Sequence, residues 1–269
     1  MNRMKNPLHI SLIIFLIWLL VIERVEFDPF VNVHHMSLAQ YTGSRIDLLE
    51  LASLIFVVLA VIYLKWLPQV GLKGIQTGQI EDLLALKYWN LRLLWLPTLV
   101  LLIILLFVLH KGLPSNSTLE IIIINTLMVG IFEELMFRGI LFYGVSSSFG
   151  VWRAAWITAI IFGSIHMLSG FLTGDFVSST FQAFNALVFG FWIATLRIQL
   201  GTIIPGIIIH WVWDCLIFML VPQTLVPYKP SGLLIMLPFN LLFFYYGLKL
   251  LKKNQLNETK LQISVPLQK

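Results

Sequence analysis

Hydrophobic residues along this chain gather into eight runs, 8–22, 46–63, 91–109, 119–143, 154–170, 181–196, 203–221 and 233–248, and most polar residues fall between them. As helices rising about 1.5 Å per residue, such runs are long enough to cross roughly 30 Å of hydrocarbon. Barrel strands would alternate over roughly ten residues, whereas these runs are apolar on every side, so helices are the spanning element. The pattern predicts an all-α polytopic membrane helix bundle of about eight transmembrane helices.

Composition agrees with that reading. The 269 residues are 58% hydrophobic and 12% charged, against roughly 25% charged in soluble domains. That much apolar surface does not fit inside one soluble core. If the runs alternate in direction, most basic residues fall on one side: Arg3, Lys5, Lys65, Lys73, Lys87, Arg92, Arg138, Arg153, Arg197 and the lysines from Lys249 onward. The positive-inside rule then places both termini in the cytoplasm of a cell-membrane protein. The net charge of +5 is absorbed by this asymmetry and gives no reason to expect nucleic acid. Residues 71–87 read as an amphipathic segment on the inner surface or as a solvated loop, and 250–269 as a short cytoplasmic tail of a single membrane domain. Glu23, Arg24, Glu26 and Asp28 follow the first run where a cleavage site would need small residues, so that run reads as retained. The single cysteine, Cys215, rules out an internal disulfide and reads as a small buried residue.

Ionisable groups inside such runs cost roughly 2.5 to 3.5 kcal/mol each at mid-membrane and mark function. Those standing out are Glu133, Glu134 and Arg138 in the fourth run, His166 in the fifth, and His210 and Asp214 in the seventh; Asn185 and Asn240 read as interhelical hydrogen-bond formers. Helical spacing sorts them. Glu134 and Arg138 are four apart and can pair, while Glu133, turned by about 100°, has no partner on its own helix. His210 and Asp214 share a face at the same spacing, as do Phe162 and His166. A free carboxylate, two imidazoles and a second carboxylate brought together in a bundle core suit hydrolysis: one group takes a proton from water while others orient it or stabilise an oxyanion. Counted from the run starts, Glu133 and His210 fall toward the cytoplasmic half and His166 toward the outer half, a mismatch of depth that tilt would have to absorb.

Glu-Glu-x-x-x-Arg at 133–138, Phe-x-x-x-His at 162–166 and His-x-x-x-Asp at 210–214, in that order, resemble the CAAX protease and bacteriocin-processing (CPBP, or Abi) family of intramembrane proteases. The resemblance covers about residues 91–221 as a core motif region. It implies a CPBP-type intramembrane endopeptidase acting on a peptide precursor or a membrane-anchored protein within the lipid bilayer. By the same resemblance Glu133 activates water with His166, His210 stabilises the oxyanion or binds metal, and Glu134, Arg138 and Phe162 support the site. The family's last motif position holds Asn or Asp, and Asp214 leaves three roles open: protonated donor, orienter of His210, or metal ligand. A divalent metal such as zinc on Glu133, His166 and His210 and a metal-free glutamate mechanism stand about even. Two rival readings remain, a proton-coupled transporter and a non-catalytic immunity-type protein of the same fold. Site-two, presenilin-type and rhomboid motifs are absent from the sequence.

Overall fold

The computed structural model describes residues 6–23, 38–73, 94–220 and 237–252, and all regular structure among them is helical. In order these are α1 (Pro7–Glu23), α2 (Leu38–Thr42), α3 (Leu48–Leu64), α4 (Trp95–Lys111) and α5 (Asn116–Glu134). The last runs unbroken into π-helical Leu135–Leu141 and then α6 (Phe142–Ile165). A 3₁₀ turn, His166–Leu168, leads to α7 (Ser169–Thr173), α8 (Phe176–Leu200), α9 (Ile204–Leu220) and α10, residues 237–252. Every predicted apolar run is helical where it is described.

Local chemistry sets the boundaries. Asp47 caps α3 by accepting the Leu49 and Glu50 N–H groups, Ser115 caps α5, and Asp175 caps α8 through the Ser178 N–H. Such side-chain acceptors satisfy the orphan donors of a first turn, which is why α8 starts at Phe176 rather than at the predicted 181. Gly150, at φ 81 and ψ 162, breaks α6 and turns the chain between the fourth and fifth runs. α10 is described through 252, with Leu250 and Leu251 buried, and residues 253–269 of the expected tail lie outside the described residues. Of the amphipathic segment, Gly71 and Leu72 are buried, Gly71 against residues 201–203, and residues 74–87 lie outside the described residues, as do His34, His35 and Trp89.

Phe176–Leu200 is the one described helix of at least 18 residues that suits a membrane crossing by length and composition. Pro7–Leu20, Leu48–Leu64, Trp95–Lys111 and Ile204–Leu220 are apolar but shorter. Their outward faces are apolar too: Ile13 and Leu16 on α1, Leu59 and Ile62 on α3, and Leu102, Leu106 and Phe107 on α4 are exposed. Apolar patches this extensive are foreign to a water-facing monomer.

Two of three apolar clusters frame the polar groups. One joins α1 and α3 to the π-helical segment through Trp18, Val57, Val61, Phe137 and Phe162, and the other joins α4, α8, α9 and α10 through Val100, Trp192, Ile209 and Phe243. Close helix approaches hold them in register. A Cβ on Gly163 would stand 2.7 Å from Leu187 Cβ, and one on Gly130 would stand 3.1 Å from the Trp211 backbone nitrogen. The polar groups lie where these two clusters meet.

Candidate active site

Glu134 ends α5 and Arg138 lies in the π-helical segment, whose seven residues are all buried. Arg138 Nη1 stands 3.0 Å from Glu134 Oε1, with the two side chains 1% and 0% exposed. The guanidinium carbon sits 4.1 Å from the centre of the Phe162 ring, so the aromatic face of α6 supplies the second contact this charge needs. Room for both groups comes from glycines on the facing helices. A Cβ at Gly190 would meet Arg138 Nη2 at 2.8 Å and Phe162 Cδ1 at 2.9 Å, and one at Gly206 would meet Glu134 Oε2 at 3.2 Å.

His210 is the hub. Its Nδ1 donates to Glu134 Oε1 at 2.9 Å, while Nε2 stands 3.3 Å from Asp214 Oδ2 and 3.6 Å from Glu133 Oε2. The ring is 4% exposed and flanked by the rings of Phe162 and Phe189 at 5.9 and 5.4 Å. Glu133 and Asp214 are 13% and 21% exposed, so this side of the imidazole is the side that opens outward. Glu133 Oε2 is buried without a hydrogen-bond partner, as is Glu134 Oε2, but Glu134 is held through Oε1 by both Arg138 and His210.

His166 occupies the first position of the 3₁₀ turn. Its Nδ1 lies 2.7 Å from the carbonyl oxygen of Phe162, which can only accept, so Nδ1 carries the proton and Nε2 the lone pair. Its ring meets Phe162 edge-on at 4.6 Å, and Phe162 in turn meets His210 at 5.9 Å. The structure therefore brings Glu133, Glu134, His210 and Asp214 together directly and joins His166 to them through an aromatic ring. Glu133 and His210, which the run starts place in the same half, do meet.

The zinc set does not form in this arrangement. Among the described residues no group of three or more His, Cys, Asp or Glu side chains could hold a metal ion, and both His210 nitrogens are engaged by carboxylates. Sequence reasoning missed Glu50, on α3, whose Oε2 is buried without a partner within electrostatic reach of Glu133 and Asp214. The signal was available, since Glu50 is a charge inside the second apolar run. It also missed Gly190 and Gly206, which carry no chemistry and show their use only in three dimensions.

The described helices thus form a bundle with apolar outer faces that buries an acid–imidazole constellation. Residues 115–216 match the sequence profile of the Rce1-like family, described as type II CAAX prenyl endopeptidase, which bears out the resemblance drawn from the motifs. The matched segment contains Glu133, Glu134, Arg138, Phe162, His166, His210 and Asp214 and excludes α1 to α4 and α10. No curated protein and no solved structure matches the chain.

Proposed function

We propose that the chain is a multi-pass intramembrane endopeptidase that hydrolyses a peptide bond of a membrane-anchored protein or peptide precursor, with both termini cytoplasmic. The observation that carries this reading is the division between two adjacent glutamates: Glu134 is bound through Oε1 to Arg138 and His210 at 3.0 and 2.9 Å, whereas Glu133 Oε2 has no hydrogen-bond partner and stands 3.6 Å from His210 Nε2. A carboxylate left unpaired at that cost is a base in waiting.

In this mechanism Glu133 takes a proton from water, and the hydroxide oxygen bonds to the amide carbon. His210, steadied at Nδ1 by Glu134 and at Nε2 by Asp214, turns Nε2–H toward the oxyanion as it forms. The C–N bond then breaks as Glu133 returns the proton to the leaving nitrogen. Of the three roles open to Asp214, its place beside His210 Nε2 supports orientation of the ring. His166 Nε2 accepts a hydrogen bond from water on the other side of Phe162. No step is assigned to a metal, because the ligand set is not assembled. The family match favours a lipidated, CAAX-type protein as substrate over a soluble peptide.

Glu133→Gln tests the reading, since it keeps the shape and removes the base. In proteoliposomes with a prenylated peptide substrate, cleavage falls by about 10²-fold or more, while the purified variant keeps its elution profile and melting temperature. Cleavage at the wild-type rate by Glu133→Gln refutes the proposal. A comparison of membrane peptides from cells carrying either form identifies the natural substrate.

A further inference from the structure

Beyond the four converged side chains, α3 carries a polar stripe that the motif region does not include. Asp47, Glu50 and Ser53 follow one another at three-residue spacing along its first two turns, and the buried face continues through Val57 and Val61. Ser53 is fully buried, and neither its Oγ nor Glu50 Oε2 has a hydrogen-bond partner. In an apolar bundle an unmet hydroxyl or carboxyl is costly, so two in succession on one face require an explanation.

Register supplies it. The Asp47 N–H donates to Asn125 Oδ1 at 3.1 Å at the start of α3, and the Trp66 ring meets Tyr143 at 4.9 Å just past its end. Nearly equal lengths of chain separate these two contacts on either side, so α3 runs parallel to α5 and in step with it. Stepping along at about 1.5 Å per residue, Ser53 comes level with residues 131–132, within one turn of Glu133, and Glu50 one turn before it. Val57 and Val61, on the same face, pack with Phe132, Leu135 and Met136.

We propose that Glu50 and Ser53 line a water-conducting path that runs along α3 from the Tyr41–Asp47 turn to Glu133. A hydrolase enclosed by lipid needs such a supply, and the hydroxyl and carboxyl provide the donor and acceptors that water requires. The path ends at Val57, where the face becomes apolar. This inference rests on Glu133 being the residue that uses the water.

Thiol accessibility tests it without a substrate. In full-length protein in liposomes, with Cys215→Ala removing the single native thiol, Ser53→Cys and Val57→Cys are exposed to a small charged methanethiosulfonate, which reacts with thiolates in water. Ser53→Cys reacts at least tenfold faster than Val57→Cys if the path is wet. Equal rates, fast or slow, overturn the path whether or not the enzyme cleaves anything. A reactive Ser53→Cys in a protein whose Glu133→Gln form still cleaves upholds the path and overturns the role of Glu133. Should Ser53→Cys not fold, Glu50→Cys takes its place against Val57→Cys, and the same rate ratio decides.

Discussion

Glu134 and Arg138 show how a buried pair becomes an instrument. The pair alone would be a costly way to hold two helical turns together, since desolvation offsets most of the attraction. Here the carboxylate also accepts from His210 Nδ1 at 2.9 Å, so the ion pair fixes the orientation of the imidazole that faces Glu133. Removing either partner strands a charge in the core. Glu134→Ala or Arg138→Ala each destabilises the protein by about 3 to 5 kcal/mol and lowers its membrane abundance, read by a thermal shift in detergent and by immunoblot. Gly190→Ala attacks the same group sterically, because a methyl 2.8 Å from Arg138 Nη2 displaces the guanidinium from Phe162. Its cost is smaller, about 1 to 3 kcal/mol as for other overpacked cores, and cleavage falls with it; wild-type stability in Gly190→Ala contradicts the packing argument.

At the scale of elements, the decisive joint is the one between the α2–α3 turn and α5. Asn125, 1% exposed, donates to the carbonyl oxygens of Thr42 and Arg45 at 2.8 and 2.7 Å and accepts the Asp47 N–H, stitching the turn to the helix that ends at Glu134. Tyr41 completes the clasp by donating to Asp47 Oδ2 at 2.7 Å. Burial first, and then the neighbouring Asp47 carboxylate, push the Tyr41 phenol well above its ordinary range near 10. The neutral phenol is thus favoured in the folded state. Its contribution is complete below pH 10 and is lost as pH rises further, when the unfolded chain ionises first. Tyr41→Phe costs about 1 kcal/mol near neutrality, and the gap in melting temperature between it and the wild type narrows from pH 9 to pH 11. A gap that stays constant shows that the phenol is not held in this way. The π-helical segment is the other unusual element. Such geometry gathers at functional sites, and here it carries Arg138 beneath the Phe162 ring.

For the whole molecule, the pairing of residues within one helix was legible in helical spacing, and the way the helices bring them together was not. Spacing paired Glu134 with Arg138 and left Glu133 free because four residues make one turn in any helix. The linkage of Glu134 to His210 depends on how α5 meets α9, which the Gly130 notch against Trp211 decides and no periodicity encodes. Glu50 stayed hidden because the second run carries no motif, although its charge obeys the same cost argument. Asn185 and Asn240, read as an interhelical pair, do hydrogen-bond to each other across α8 and α10. That contact attaches α10, which lies outside the family match, to the helix that supports Arg138 at Gly190. A double-mutant cycle measures the attachment. Asn185→Leu or Asn240→Leu alone leaves a half-buried amide without its partner and destabilises the bundle, whereas the double replacement removes both polar groups and recovers much of the loss. The expected coupling is about 0.6 to 2 kcal/mol, the range for hydrogen bonds between membrane helices, read from unfolding equilibria in mixed micelles. If the two single losses simply add, α10 is held by its other contacts, the hydrogen bond from Gln199 Nε2 to the Leu250 carbonyl and the rings of Trp192 and Phe191, and the amide pair has no part in joining it to the rest of the bundle.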